Sequence, residues 1–259
     1  IISISAGLVH SIALAKDGTV YTFGFNGNGQ LGDNTTVDKY LPIKVLKGAY
    51  TGTTYLGDNR VDPIISIYAG SSHNMVLSAN GLIYTIGFNA YGQLGDGTSV
   101  NRGLPTKVVK GSAYFGTTFL GDHPANRIVS ISTHGYSGYA ISDSGYVYSF
   151  GSGLYGQLGI GSNANSSSPV RVLKGLYAGT TYMGDNNSNR VIAVYAGPTN
   201  AFFLTENNIL FCVGANGGGG LGDGTTVNKT TPVRPLKGAY GGTTYLGDNR
   251  GNPIIAIAS

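Results

Sequence analysis

Residues 11–32 read SIALAKDGTVYTFGFNGNGQLG, and this stretch decides the fold. Residues 11–15 and 19–23 alternate apolar with small or polar side chains, a pattern typical of half-buried β-strands. Asp17-Gly18 between them predicts a type I′ hairpin turn, which needs two residues that tolerate positive φ. A Gly-rich loop follows from Gly24 to Thr36. The stretch therefore predicts two antiparallel strands and a long loop.

The same pattern recurs along the whole chain of 259 residues. We divide the chain into repeats 1–63, 64–127, 128–190 and 191–253, and interpret residues 254–259 as the first strand of a fifth repeat. Each repeat carries the tetrapeptide Gly-Gln-Leu-Gly or, in the fourth, Gly-Gly-Leu-Gly. Its recurring positions are Gly29, Leu31, Gly32, Gly92, Leu94, Gly95, Gly156, Leu158, Gly159, Gly219, Leu221 and Gly222.

Each repeat is predicted to form four short strands, which in the first repeat cover residues 1–5, 11–15, 19–23 and 43–46. Tandem four-stranded antiparallel units are typical of β-propeller blades. We therefore predict an all-β protein of tandem blades. They form either a partial ring or arc, or an open superhelical array in which each unit contacts only its neighbours.

Composition agrees with this fold. Of 259 residues, 43 are Gly, only 11 % are charged against about 25 % in ordinary proteins, and Glu206 is the only glutamate. Interior glycines disfavour helices, and 18 Tyr and 9 Phe argue against a disordered chain. No apolar run reaches the about 20 residues of a membrane helix. Cys212 is the single cysteine, which excludes a disulfide framework.

The repeat resembles that of the regulator of chromosome condensation family. The resemblance is carried by Ala6-Gly7, His10, Asp17-Gly18, Gly24-Phe25-Asn26 and Gly29-Gln30-Leu31-Gly32, and by the equivalent residues of the second repeat, His73 among them. The third and fourth repeats have Ser137 and Asn200 where the pattern has His. The resemblance covers essentially the whole chain.

The resemblance implies a β-propeller fold. The best-known member of the family catalyses guanine-nucleotide exchange on a small GTPase and binds chromatin, so the resemblance implies these activities as well. Two features depart from the family pattern. The slot usually filled by Trp holds Phe23, Ile86, Phe150 or Val213, and each repeat is lengthened by an insert, Lys47 to Pro63 in the first. Four repeats make an incomplete ring, an open arc or part of a longer array.

We identify no catalytic, cofactor-binding or metal-binding residues. Gly27 to Gly32 matches a dinucleotide fingerprint but leads into a turn sequence instead of a helix. His10 and His73 are interpreted as hydrogen-bonding residues at contacts between blades. The Asp residues of the turns lack the spacing of a calcium loop.

The basic residues recur once per repeat instead of gathering in one patch, and 15 of the 16 Lys and Arg follow this rule. A nucleic-acid site would combine a local basic cluster with aromatics. The pattern therefore disfavours nucleic-acid binding and favours either balanced charges between neighbouring units or solvation.

The inserts each repeat two aromatic residues, which favours either packing on their own blade or contact between blades or subunits. These candidate assembly contacts are Tyr50, Tyr55, Tyr114, Phe119, Tyr177, Tyr182, Tyr240 and Tyr245.

The leading functional hypothesis is a non-enzymatic structural or interaction protein, exported or at the cell surface, which self-associates head to tail into a filament or continues in a longer chain. The alternatives are the exchange and chromatin-binding activity, in the cytoplasm or nucleus, and a protein or glycan binder that uses one propeller face. Four sequons in predicted loops are candidate N-glycosylation sites. They are Asn34, Asn165, Asn186 and Asn228.

Overall fold

The computed structural model describes residues 1–112, 114, 116–249, 251 and 253–255. In that part of the chain there is no helix, and four antiparallel sheets of four strands each follow one another. The strands are β1 (Ser3–Ala6), β2 (His10–Leu14), β3 (Val20–Gly24), β4 (Lys39–Lys44), β5 (Ile64–Ala69), β6 (His73–Ser78), β7 (Ile83–Gly87), β8 (Arg102–Lys107), β9 (Ile128–His134), β10 (Ser137–Ser142), β11 (Val147–Gly151), β12 (Ser166–Arg171), β13 (Val191–Ala196), β14 (Asn200–Thr205), β15 (Leu210–Gly214) and β16 (Lys229–Val233).

Consecutive strands pair in the order β1-β2-β3-β4, and the same order holds in the other three sheets. We refer to the sheets in chain order as blades 1 to 4. The all-β prediction of tandem four-stranded antiparallel blades is confirmed, and the arrangement is open: among the described residues, no strand of blade 1 pairs with a strand of blade 4.

The hairpin turn differs from the predicted type I′. Only Gly18 has positive φ (+90°), while Asp17 does not, and Ala15 N donates to Thr19 O while Gly18 N donates to Ala15 O. This is a three-residue loop closed by a residue in the left-handed region, the G1-bulge hairpin. This hairpin loop needs only one residue with positive φ. In blade 4 that residue is Asn208, with φ of +60°.

The fourth strand also differs, since it covers Lys39–Lys44 instead of residues 43–46. Val45 and Leu46 produced the apolar signal, but Val45 is fully buried between blades and Leu46 pairs with Tyr55 of the insert. Their hydrophobicity reflects tertiary packing rather than pairing in the sheet.

The hydrophobic core lies between the blades. Three clusters of buried side chains correspond to the three interfaces between consecutive blades. The first joins Ile12, Leu14 and Val20 of blade 1 to Ile67 and Ile86 of blade 2. Each blade thus shares most of its buried apolar side chains with the neighbouring blades, as in repeat proteins generally.

The predicted fifth repeat is described only in part. Ile254 and Ile255 carry no strand assignment, and residues 256–259 lie outside the described residues, as does Arg250 of the recurring basic set. Among the described residues, no helix is long and apolar enough to span a membrane.

Candidate functional site

The Gly-Gln-Leu-Gly motif forms a tight turn at each blade junction. Gly29 and Gly32 have φ of +75° and +72°, which favours glycine. A Cβ at Gly29 would lie 2.8 Å from the Cα of Gly103 in blade 2, so the turn approaches the next blade too closely for a side chain. Leu31 is fully buried and its carbonyl accepts a hydrogen bond from Thr22 Oγ1 at 2.7 Å. The motif organises blade packing.

The loop after the third strand is held by a buried asparagine. Asn26 accepts a hydrogen bond from Leu31 N at 2.9 Å, and its amide donates to Asp33 Oδ1 (3.0 Å) and to the carbonyl of Val37 (3.2 Å). Asp33 also pairs with Lys39 at 3.1 Å. Blades 2 and 4 repeat this network through Asn89 and Asp96 with Arg102, and through Asn216 and Asp223 with Lys229.

Blade 3 lacks the network. Gly153 stands at the position of Asn26, and Ile160 and Ser166 replace the ion pair. A Cβ at Gly153 would collide with the carbonyl of Ala164, because the loop has moved into the space that the amide fills elsewhere. The members of the network are lost together, which indicates that they act as one unit.

The two recurring histidines join neighbouring blades. His10 Nε2 lies 3.0 Å from Asn74 Oδ1 of blade 2, and His73 Nε2 lies 2.8 Å from Thr133 Oγ1 of blade 3. His73 is fully buried. Burial, and then the neighbouring His10 and His134, lower its pKa to about 3, so the ring is neutral at physiological pH. Each of the two histidines therefore makes a side-chain hydrogen bond across a blade junction.

The first aromatic residue of the insert is buried inside the chain in repeats 1 to 3. Tyr50, Tyr114 and Tyr177 are 3 %, 5 % and 2 % exposed. Their rings meet Tyr84, Tyr148 and Phe211 of the next blade at centroid distances of 5.5–5.7 Å. These three tyrosines form contacts between consecutive blades. Because their rings are buried, they are not available for contact with another molecule. Tyr240, in blade 4, is half-buried.

The second aromatic residue of each insert lies under a basic side chain. Lys44 Nζ is 5.2 Å from the ring centre of Tyr55, and Lys107 Nζ is 4.9 Å from that of Phe119. These are cation–π distances. The guanidinium carbons of Arg171 and Arg234 lie 4.4 Å and 4.2 Å from the ring centres of Tyr182 and Tyr245.

A second basic set, equivalent to Lys47, folds back on the insert. Lys47 Nζ donates to Gly52 O, and Lys110, Lys174 and Lys237 make the equivalent bond. Among the described residues, the ion pairs lie within a repeat, for example Lys39 with Asp33, and not between neighbouring units, which was one of the two alternatives that the sequence left open. The repeated charge therefore has local structural partners.

Each insert is closed by an aspartate. The Asp58 carboxylate accepts hydrogen bonds from the N–H groups of Thr53, Thr54 and Tyr55 and from Thr53 Oγ1, at 2.7–2.9 Å. Burial opposes ionisation, but these bonds outweigh it and lower the pKa of Asp58 to about 2. Asp122, Asp185 and Asp248 close the other inserts in the same way.

In the part of the chain that the structure describes, the side chains that could ligate a metal do not gather at one site. Among the described residues, no group of three His, Cys, Asp or Glu side chains is placed to hold a metal ion. Cys212 is buried, which raises the pKa of its thiol to about 12. Glu206 accepts a hydrogen bond from Arg190 N at the blade surface.

The open face of blade 1 is apolar. We call this surface the leading face; it comprises Ile1, Ile4, Ala6, Tyr21 and Phe23. Ile4 is 78 % exposed, whereas its equivalents Ile67, Ile131 and Val194 are 3 %, 1 % and 3 % exposed because a preceding blade covers them.

The four sequon asparagines lie in loops. Asn34, Asn165 and Asn228 are exposed, while Asn186 is half-buried and its amide donates to Ala178 O at 2.9 Å.

The chain is similar in sequence to larger proteins. It is 28 % identical over 230 residues to the ultraviolet-B receptor UVR8 of Arabidopsis thaliana, covering 88 % of this chain and 44 % of the receptor. It is 29 % identical over 232 residues to the probable E3 ubiquitin-protein ligase HERC4 of Homo sapiens, covering 90 % of this chain and 19 % of the ligase. The chain thus spans less than half the length of either relative.

Among solved structures, Prp20p from Saccharomyces cerevisiae, studied for its binding to Gsp1p and histones, superposes with a TM-score of 0.63 at 20 % identity. The match covers 90 % of this chain and 50 % of that one. Human WBSCR16 gives a TM-score of 0.53 at 19 % identity, covering 89 % and 66 %. These likenesses concern the fold.

The family model described as the regulator of chromosome condensation (RCC1) repeat matches residues 17–77, 80–141 and 144–204, and a second model of the same repeat matches residues 1–30 and 64–93. With the blades and interblade motifs described above, these matches identify the chain as a member of the RCC1 repeat family.

Proposed function

We propose that this chain is a non-enzymatic interaction module that assembles through the open ends of its blade array. The observation that carries the proposal is the leading face, where Ile4 is 78 % exposed in a position that is buried in every other blade. An uncovered apolar sheet face of this kind favours association with another chain. The occupant that fits it is a further blade of the same kind, supplied either by the trailing end of blade 4 in a second copy, in a head-to-tail contact, or by a continuation of the same chain.

The internal junctions define how two ends would meet. Asn34 N of blade 1 donates to Gly103 O of blade 2, and Gly161 N of blade 3 donates to Thr230 O of blade 4. The equivalent donor on blade 4 is Gly224 N, and the equivalent acceptor on blade 1 is the carbonyl of Tyr40.

A second contact between consecutive blades involves a glycine at the start of each insert. A Cβ at Gly48 or Gly175 would collide with the carbonyl of Pro105 or Pro232 in the next blade. The equivalent Gly238 of blade 4 has no described atom within 4 Å, and the equivalent proline of blade 1 is Pro42. Blade 4 offers the space beside Gly238, and blade 1 offers the strand with Pro42 that would fill it. Because these two surfaces differ, the contact is heterologous, and it either propagates into a filament or closes into a ring.

The experiment uses two variants that each block one end. Ile4→Asp places a charge on the leading face. Gly238→Asn adds a side chain where the next strand would pack, and Asn tolerates the local φ of +52°. Sedimentation should show concentration-dependent association of the wild-type chain, loss of association in each variant alone, and a dimer when the two variants are mixed.

Ile65→Asp is the matched control, because Ile65 is 52 % exposed within an internal blade and should leave association unchanged. A chain ending at Pro253 is measured in parallel, since residues 254–259 repeat the pattern of residues 1–6 and would compete for the same position. A wild-type chain that stays monomeric in both forms contradicts the proposal.

An extracellular location is a separate proposal, which the four sequons and the low content of charged residues favour. The mass of the native protein before and after enzymatic removal of N-linked glycans tests it, since only a glycosylated chain loses mass. Nucleotide exchange is tested separately, by release of labelled nucleotide from candidate small GTPases. Acceleration of that release would favour the alternative function.

A further inference from the structure

Two positions meet at each internal junction between consecutive blades. One is the second residue of the fourth strand, which we call the strand position. The other is the residue just before the first glycine of the tetrapeptide turn, which we call the loop position. The strand positions are Tyr40, Gly103, Ser167 and Thr230, and the loop positions are Asn28, Tyr91, Tyr155 and Gly218.

The strand position of one blade lies against the turn of the preceding blade. A Cβ at Gly29 would lie 2.8 Å from the Cα of Gly103. At the second junction, a Cβ at Gly92 would lie 2.9 Å from the Cβ of Ser167, so the side chain at the strand position begins at the turn. The hydrogen bond from Gly97 N to Ser167 O, at 2.8 Å, holds the two backbones together there. The size of the strand residue therefore affects how the loop packs.

Each internal junction combines a small residue at the strand position with a larger one at the loop position. The pairs are Gly103 with Asn28, Ser167 with Tyr91, and Thr230 with Tyr155. At the first junction, where neither residue is aromatic, Asn28, Asn101 and Gly103 help to line a cleft of about 380 Å³. A pair without a bulky member thus leaves space between the blades.

The two open ends of the array carry the reverse combination. Blade 1 has Tyr40 at the strand position, and this residue is 92 % exposed. Blade 4 has Gly218 at the loop position, within the glycine run 217–220. A Cβ at Gly217 or Gly218 would meet no described atom within 4 Å beyond its chain neighbours. The bulky residue of one end therefore corresponds to a loop without side chains at the other end.

We propose that the ring of Tyr40 packs on the glycine run 217–220 of a second copy, and that this pair makes a second copy the occupant of the leading face. The inference rests on the head-to-tail assembly proposed above. One tyrosine then fills the new junction, as one tyrosine stands at the second and third internal junctions. The difference is that the strand supplies the ring here, whereas the loop supplies it there.

The same pair disfavours other partners for the leading face. A blade with a tyrosine at the loop position, such as blade 2 or blade 3, would place two bulky residues at one turn, and overpacking is destabilising. Among the four blades, only blade 4 has glycine at the loop position. A tyrosine ring buried on exposed backbone contributes a large apolar area, and tyrosine is enriched among the residues that dominate interface energies.

The experiment exchanges the two residues. Combined, Tyr40→Ser and Gly218→Tyr install the pair found at the second internal junction. In sedimentation of the full chain, Tyr40→Ser should weaken association at least about tenfold, because it removes an interface tyrosine. Gly218→Tyr should also weaken association, because two rings then compete for one space. The double variant should recover most of the lost affinity.

Mixing the two single variants gives a second measurement. The leading end of the Tyr40→Ser chain matches the trailing end of the Gly218→Tyr chain, so the mixture should contain more dimer than either variant alone. Tyr155→Ser is the matched control. Tyr155 is 45 % exposed at an internal junction, so its loss should leave association unchanged.

The outcomes separate this pairing from the assembly on which it rests. If Ile4→Asp abolishes association of the chain but Tyr40→Ser associates like the wild type, the pairing is overturned and head-to-tail assembly stands. A double variant that associates no better than the weaker single variant also overturns the pairing. A monomeric wild-type chain overturns both proposals.

Circular dichroism monitors the fold of each variant. The introduced residues stand at equivalent positions of other blades, so the blades should form. If Gly218→Tyr nevertheless unfolds, Tyr40→Gly with Gly218→Asn, the pair of the first junction, replaces the double variant, and the same recovery relative to Tyr40→Gly alone decides the result.

Discussion

The ring of Tyr50 meets the ring of Tyr84 edge-on, at a centroid distance of 5.5 Å and an interplanar angle of 78°. Tyr50 belongs to the insert of the first repeat and Tyr84 to the second blade. The insert therefore helps to form the interface between consecutive blades, and burial of its tyrosine is part of the hydrophobic core.

Tyr50→Ser should destabilise the fold. Tyr50 is 3 % exposed and its hydroxyl donates to the carbonyl of Asp62. Removing a buried aromatic ring costs about 3–5 kcal/mol of unfolding free energy. Denaturant unfolding measures the loss, and Tyr40→Ser, which removes an exposed ring, should change it by less than about 0.5 kcal/mol. Equal effects in the two variants would contradict the packing of the insert.

The buried histidines should make stability depend on pH. The pKa of His73 is about 3 in the folded chain, below about 6.5 for an unfolded histidine. Below pH 6.5 the unfolded state therefore binds a proton that the folded state excludes, and stability falls as pH drops from about 6.5 towards 3.

The slope from one such group approaches about 1.4 kcal/mol per pH unit. His73→Asn, which places in blade 2 the residue found at Asn200, should flatten this part of the profile when unfolding is measured between pH 7 and 4. A profile unchanged by the substitution would show that His73 is not the group that titrates.

A second loss of stability should appear at lower pH. The pKa of Asp58 is about 2 in the folded chain, below about 3.9 for an unfolded aspartate. Its contribution is present above about pH 4 and disappears as pH falls towards 2. Asp58→Asn should raise amide hydrogen exchange at Thr54 and Tyr55 roughly tenfold at neutral pH, because charged acceptors make the stronger hydrogen bonds. Unchanged exchange at both amides would contradict the role of the carboxylate.

Asn26→Ala should destabilise blade 1 by about 2 kcal/mol, because it leaves the buried Leu31 N without its acceptor and removes one donor from the Asp33 carboxylate. Asn28→Ala is the matched control, since Asn28 is half-exposed in the same loop. The reciprocal change, Gly153→Asn, should also destabilise, because the Ala164 carbonyl occupies the space. Thermal unfolding measures all three, and a neutral Asn26→Ala would refute the network.

Cys212 should resist alkylation in the native chain. It is fully buried and its pKa is about 12, so its reactive thiolate is scarce at pH 8. Labelling with iodoacetamide should therefore follow the unfolding of blade 4. Labelling of the native chain at the rate of a free thiol would show that this blade opens readily.

The sequence by itself determined the all-β blades, because the alternation in residues 11–15 and 19–23 and the positive-φ positions around them are local properties of the chain. It also determined the repeat, since Gly29 and Leu31 recur at nearly constant spacing. It predicted the hydrogen-bonding role of His10 from the small polar residues at the equivalent positions of blades 3 and 4.

Only the tertiary structure decided what the repeated side chains touch. The sequence presents Tyr50 and Tyr91 as similar residues, yet one is buried against the next blade and the other lies on a loop face. It placed a fourth strand at residues 43–46 because burial between blades and burial within a sheet give the same apolar signal. Which surface a neighbouring blade covers depends on contacts about 63 residues apart, and such contacts leave no local pattern in the sequence.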